Sequence, residues 1–137
     1  MNQKITLTDL QQIQLKDGDV LHCLKKGDYG YVDFGEIYFS KVNFNKIKGW
    51  KRHRKMTLNI VVPFGEVEFI FANEDHTYTS HKIGINNYKR LTIQPGIWFC
   101  FKGKNDPFSI IASVIDKKHD PKEVDNKELS YFNYEFK

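Results

Sequence analysis

Apolar and polar residues alternate along most of this chain with a period of two, the spacing of strands that bury one face. In Gly35–Val42 (GEIYFSKV), Ile37, Phe39 and Lys41 fall on one face, with Glu36, Tyr38 and Ser40 on the other. Thr57–Val62 sets Leu58, Ile60 and Val62 together, and Glu66–Phe71 does the same with Val67, Phe69 and Phe71. Pro63-Phe64-Gly65 between them predicts a turn, because Pro lacks a donor and Gly tolerates positive φ. Short strands are also predicted at Asp19–Cys23, Arg90–Ile93 and Ile97–Phe101, and a long one at Phe108–Asp116. The turns Gln94-Pro95-Gly96 and Gly103–Pro107 separate the last three.

From Lys117 to Leu129 the chain is charged, which predicts a loop with one helical turn after Asp120-Pro121, where Pro suits a helix start. Tyr131–Phe136 alternates aromatic residues and is expected to dock on the body of the domain. No 3.6-residue periodicity persists. Many short strands joined by turns predict an all-β sandwich or barrel. With 137 residues and no internal linker, one domain spanning 1–137 is expected, with its core at about 19–116 and a charged tail at 117–137.

Composition agrees. Aromatic residues make up 15% of the chain, including 11 Phe and 7 Tyr, which favours strands and a substantial core. The net charge of +4 suits an anionic partner such as a nucleotide or phosphate. Two cysteines, Cys23 and Cys100, are too few for a disulfide scaffold and read as reduced, buried thiols. Met1–Gln14 carries no long apolar run, and no stretch reaches the roughly 18 apolar residues of a membrane span. A soluble cytoplasmic protein, not bound to membranes, is expected.

The densest chemistry lies in Lys46–Lys55 (KIKGWKRHRK). If Trp50–Thr57 is extended, Lys51, His53 and Lys55 share one face, and Arg52 and Arg54 the other. Unpaired buried charge is costly. This strand is therefore either the wall of a polar cavity or a solvated edge strand, where lysines deter aggregation. A basic run with one Trp could also grip a nucleic acid. The acidic Glu66, Glu68, Glu74 and Asp75 that follow make nucleic acid an unexpected partner.

Phe34–Phe71 (FGEIYFSKVNFNKIKGWKRHRKMTLNIVVPFGEVEFIF) resembles the central part of the dTDP-4-dehydrorhamnose 3,5-epimerase-like (RmlC-like) cupins. The motifs are Phe34–Ser40, Gly49-Trp50 with His53, Met56–Asn59 and Gly65. Tyr88–Gly96 (YKRLTIQPG) with Trp98 is similar to a second family block, and the likeness covers roughly residues 19–125. The resemblance implies a double-stranded β-helix, or jelly-roll barrel, in a homodimer. It implies a dTDP-linked 4-keto-6-deoxy sugar as ligand, and epimerisation without a cofactor in deoxysugar and polysaccharide synthesis. A base would remove a proton beside the C4 ketone, and an acid would return it to the opposite face. His53 matches the family's base, and an imidazole suits that task near pH 7. Lys51 would steady the enolate oxygen. Lys55, Arg52, Asn59, Tyr38 and Ser113 complete the set of residues expected on the substrate.

Three departures shape these expectations. Many relatives carry His where Lys51 stands, and a further His after the Pro-Gly turn, near Phe99. Too few ligands then remain for a divalent metal, and no metal is expected. The family's acid is a Tyr on the strand matching Phe108–Asp116, which here has none; Ser113 falls near its place, with Tyr31, Tyr38 and Tyr88 as other sources of a phenol. His22, His76, His81 and the His119-Asp120 pair are weaker candidates. A sugar-nucleotide-binding cupin without catalysis, a 3,4-ketoisomerase on the same substrates, and a nucleic-acid or protein-interaction module are the alternatives.

Overall fold

The computed structural model describes residues 4–137. Twelve strands run in chain order. They are β1 (Ile5–Asp9), β2 (Gln12–Ile13), β3 (Val20–Leu21), β4 (Glu36–Asn43), β5 (Ile47–His53), β6 (Leu58–Phe64), β7 (Glu66–Ala72), β8 (Tyr78–Gly84), β9 (Lys89–Ile93), β10 (Trp98–Gly103), β11 (Phe108–Ile115) and β12 (Val124–Asn126). Ten of them build two antiparallel five-stranded sheets, ordered β1-β9-β6-β11-β4 and β12-β5-β10-β7-β8. Strands β2 and β3 form a separate hairpin. The expected all-β jelly roll is present.

The inward faces carry the predicted alternation. Leu58, Ile60 and Val62 of β6 meet Val67, Phe69 and Phe71 of β7, and Phe99, Phe101, Ile111 and Ile115 complete the buried cluster. The chain crosses between sheets at tight corners. After β6 the corner is Gly65 alone, at φ 84°, because Pro63 and Phe64 still belong to the strand. A Cβ at Gly65 would lie 2.4 Å from Ser109 Oγ. That hydroxyl donates to Glu66 O and accepts from Glu66 N.

Several boundaries differ from expectation. The sheets reach beyond 19–116, because β1 joins one and β12 the other. Strand β1 has only Ile5 and Leu7 to signal it, both packed against the core. Strand β8, whose residues are mostly polar, pairs with β7 at the end of its sheet. The predicted strand Asp19–Cys23 contracts to Val20–Leu21. After Asp120-Pro121 the chain makes a turn closed by Glu123 N to Asp120 O, and the helical turn comes later, as a 3-10 segment at Leu129–Tyr131.

Both outer faces are covered. Residues 10–31 lie over the first sheet, where Val61, Tyr88 and Ala112 pack with Leu10, Leu21 and Cys23. Cys23 is only half-buried, unlike Cys100, and both thiols are free. The tail lies over the second sheet. Trp50, fully buried, meets Phe132, Tyr134 and Phe136, and its indole Nε1 donates to Leu129 O at 3.1 Å. The docking expected for Tyr131–Phe136 thus occurs on Trp50. Removing such a side chain empties a close-packed site. Trp50→Ala is expected to cost about 3–5 kcal/mol in urea unfolding, and a loss under 1 kcal/mol would contradict this packing.

Candidate functional site

Strand β5 is no edge: it lies between β12 and β10. After a register shift opposite β10, Lys51 and His53 point into the sandwich, while Ile47 and Trp50 pack on its outer face. Lys51 faces the interior, with Nζ 5.5 Å from the ring centroids of Phe99 and of Phe101. With Tyr38, Ser40 and Ser113 it lines a narrow cavity of about 10 Å³, otherwise walled by Leu58, Ile60, Phe69 and Ile111. The even positions go elsewhere. Arg52 and Arg54 both grip Asp125, at 2.8 and 2.6 Å, and Arg52 also covers the Trp98 ring at 4.8 Å.

His53 is the last residue of β5 and is 6% exposed. Its Nδ1 lies 2.7 Å from Glu123 Oε1. Glu123 Oε2 accepts from the backbone N–H groups of Lys55 and Met56, both at 2.9 Å. Burial lowers the His53 pKa below 6.5, against the hydrogen bond and charge of Glu123. Burial raises the Glu123 pKa, but the His53 hydrogen bond and the two backbone N–H groups outweigh it and leave it below 4.5. At neutral pH the pair is therefore a neutral imidazole donating Nδ1–H to a carboxylate. The other nitrogen, Nε2, is buried and has no hydrogen-bond partner among the described residues, as is also true of Arg90 Nε. Buried polar atoms are nearly always satisfied. An orphan Nε2 beside a carboxylate-oriented Nδ1 is a lone pair kept for something else.

Tyr38 and Ser113 lie directly opposite each other on β4 and β11. Burial raises the Tyr38 pKa above 10, against the Ser113 hydrogen bond, so its phenol stays protonated at neutral pH. Burial and the charge of Lys48 lower the Lys51 pKa. The cavity thus gathers a basic nitrogen, a phenol and two hydroxyls among apolar walls.

Similarity to known proteins can now be set beside this geometry. No protein-family model and no curated protein matches the sequence. Solved structures do. A dTDP sugar isomerase from Desulfovibrio desulfuricans G20 is 29% identical, with a TM-score of 0.88 over 96% of this chain and 89% of that one. QdtA, a sugar 3,4-ketoisomerase from Thermoanaerobacterium thermosaccharolyticum solved with TDP, is 15% identical, with a TM-score of 0.79 over 96% and 93%. A dTDP-4-dehydrorhamnose 3,5-epimerase from Sulfolobus tokodaii is 18% identical, with a TM-score of 0.82 over 100% and 84%.

The chain has the RmlC-like cupin fold.

Within this fold the structure brings Lys51, Tyr38 and Ser113 together and sets His53 next along the same face of β5. It takes three other expected residues elsewhere. Asn59 is buried on the outer side of its sheet. It donates to Gly30 O at 3.0 Å and accepts from Thr92 Oγ1 at 2.7 Å, fastening the 10–31 segment instead of facing the cavity. Lys55 leaves the His53 face because β5 ends there, and it is exposed beside Arg54, Lys117, Lys118 and Lys122. Arg52 points outward to Asp125. Tyr88 is buried outside the sandwich, where burial pushes its phenol up to about 12. His81 lies on β8 opposite Phe69. His119 donates its backbone N–H to Glu36. Among the described residues no group of three or more His, Cys, Asp or Glu side chains is disposed to hold a metal ion, and no helix is long and apolar enough to cross a membrane. Glu123 had no signal in the sequence: it is one acid in a charged tail, 70 residues from His53.

Two expectations follow. The unfolded chain takes up protons at about pH 6.5 and 4.5, where the folded His53 and Glu123 still refuse them. These groups' contribution to stability is therefore full above about pH 6.5 and is lost as the pH falls through the lower folded values. The His53 ring, followed by NMR, should titrate below 6.5, and lower still in Glu123→Gln, which removes the opposing carboxylate; an upward move would refute the pairing. Asn59→Ala should cost about 1–3 kcal/mol of stability by unpairing buried groups, while ligand affinity, measured by calorimetry, stays unchanged.

Proposed function

We propose that the protein is a nucleotide-sugar epimerase of the 3,5-epimerase type, acting on a dTDP-linked 4-keto-6-deoxy sugar through an enolate. The observation that carries this reading is the buried, unpartnered Nε2 of His53 backed by Glu123. A base must hold a free lone pair where the substrate's C–H will lie, and its conjugate acid must be stabilised once formed. Nε2 supplies the first condition, and the Glu123 carboxylate at Nδ1 supplies the second. Lys51 and the protonated Tyr38 phenol line the adjoining cavity, where donors can offset charge on the ketone oxygen without reorganising. Tyr38 is the phenol best placed to return a proton, a role that Phe108–Ile115 cannot fill because it contains no Tyr.

The cleft beside Lys51 is narrow, about 10 Å³, which is room for about one water; a sugar ring would have to widen it, with the diphosphate lying outside. Arg54, Lys55, Lys117, Lys118 and Lys122, with the acids Asp120 and Glu123, border an open pocket of about 310 Å³, and the five basic residues supply cations for it. The solved relatives support the substrate class, since they are named for dTDP-sugar chemistry.

A second reading, 3,4-ketoisomerisation, shares every step up to the enolate. It is favoured by the 29% identity to a dTDP sugar isomerase and by the close match in length to a 3,4-ketoisomerase. We also assign a homodimer, because Ile37 and Phe39 on the sheet-edge strand β4 are 45% and 66% exposed and apolar edges invite pairing. The cytoplasm is the compartment that suits two free thiols.

The test is proton exchange. With dTDP-4-keto-6-deoxyglucose in heavy water, NMR should show loss of signal at C3, C5 or both, and His53→Ala should slow it about 10²–10⁴-fold. Inversion at carbon identifies the epimerase, and a ketone moved to C3 identifies the isomerase. Absence of exchange with every 4-keto-6-deoxy sugar nucleotide tried would leave only a binding protein.

A further inference from the structure

The outer side of the first sheet carries a second polar hollow, on the far side of that sheet from His53. It lies between the end of β1, the segment 22–29 and Arg90 of β9, and its volume is about 200 Å³. Arg90 alternates with the inward Leu91, so it faces outward, yet it is 1% exposed. Its Nη1 donates to Cys23 O at 2.7 Å and meets Asp28 Oδ2 at 3.5 Å, and Nη2 donates to Tyr29 O at 2.9 Å. A guanidinium carries more N–H donors than these bonds use, and Nε has no partner among the described residues. Buried polar atoms are nearly always satisfied, so a donor is left over beside an open hollow. The positive charge of Arg90 is already answered by Asp28 and two carbonyl oxygens. What remains is hydrogen-bonding capacity, not charge.

The rim supplies the complement. The Asp28 carboxylate is part-exposed beside the guanidinium. Gln11 brings an amide that both donates and accepts. The Tyr29 ring is 58% exposed and borders the same hollow. Lys25 and Asp9 also border it, and Asp9 is already paired with Lys89 at 3.3 Å. An anion here would bring its charge up to Asp28, with only Lys25 to favour it. A hydroxyl suits all of these groups, since it donates to a carboxylate and accepts from an N–H. Several hydroxyls on one small ring, with an aromatic face beside them, describe an uncharged sugar. We propose that this hollow binds a neutral monosaccharide unit. A hydroxyl seated on the floor gives Arg90 Nε the partner it lacks, Asp28 and Gln11 take further hydroxyls, and the Tyr29 ring covers a C–H face. The volume is below that of most ligand sites, which limits the occupant to a single ring. The site is separate from the barrel interior and does not depend on the proposed function.

The experiment is an NMR titration of the full chain with D-glucose, D-galactose and L-rhamnose, and with inorganic phosphate in a separate sample. It follows the Arg90 Nε–H, the Lys25 and Asp28 amides and the His53 ring. The expected result is a saturable shift of Arg90 Nε–H and of both amides with at least one sugar, and none with phosphate. Gln11 and Tyr29 are exposed, so Gln11→Ala and Tyr29→Ala leave the fold intact. Each should weaken binding about tenfold, the loss expected for one contact. Saturation by phosphate, whether or not a sugar also binds, makes this an anion site and overturns the proposal. Shifts at His53 without shifts at Arg90 place the sugar in the barrel and overturn it too. So does the absence of a saturable shift with every sugar, or an affinity unchanged in both variants. None of these outcomes bears on the proposed function, which is read by proton exchange.

Discussion

One carboxylate organises the chemical end of this molecule. Glu123 accepts three hydrogen bonds at once, from His53 Nδ1 and from the backbone N–H groups of Lys55 and Met56. The backbone bonds hold the turn between β5 and β6, and after the larger effect of the His53 hydrogen bond they help to keep Glu123 ionised despite its burial. The side-chain bond fixes the imidazole's tautomer and leaves Nε2 bare. Structure and reactivity here depend on the same two oxygens. A charge taken from water must be well compensated to persist, and three short donors meet that condition.

That carboxylate stays in place because the tail is anchored further on. Strand β12 follows Glu123 directly and pairs with β5, with Val124 opposite His53. Trp50 exchanges backbone hydrogen bonds with Lys127 and buries its ring under the tail's aromatic residues. Asp125 adds two guanidinium contacts on the outer side. Packing on the outer face of one sheet is thus transmitted through a single strand to the orientation of the His53 imidazole inside it. On the opposite side the 10–31 segment has its own fastening, where Asn59 holds Gly30 and buried Arg90 donates to the carbonyls of Cys23 and Tyr29.

The legible parts of the fold were those in which one strand carries its own evidence. The alternation Leu58-Ile60-Val62 and Val67-Phe69-Phe71 specifies two inward faces without knowledge of any partner. The placement of Lys51 toward the interior follows from the same periodicity, once β5 is known to be central in its sheet. Strands β1, β8 and β12 were not legible, because each is short or polar and owes its existence to a neighbour. The site divides in the same way. His53 stands out through its motif, and Lys51 and Tyr38 through their register. Glu123 depends on a contact spanning 70 residues, which no local pattern encodes. Lys55 misled because strict alternation assumes a continuous strand, and β5 ends at His53; Asn59 was expected on the substrate through the resemblance alone, whereas the alternation of β6 already turns it away from the inward face.

The long span between His53 and Glu123 has a consequence for biosynthesis. During translation the barrel's inner walls are specified well before the tail leaves the ribosome, yet the imidazole has no carboxylate to orient it until then. A nascent or C-terminally clipped chain would hold the base in an unsupported state. Under the proposed function the oriented base is therefore completed only once β12 has been synthesised and paired with β5. Pairings between such distant segments are also slow to form, so the closure of β12 onto β5 sets when the imidazole meets its carboxylate.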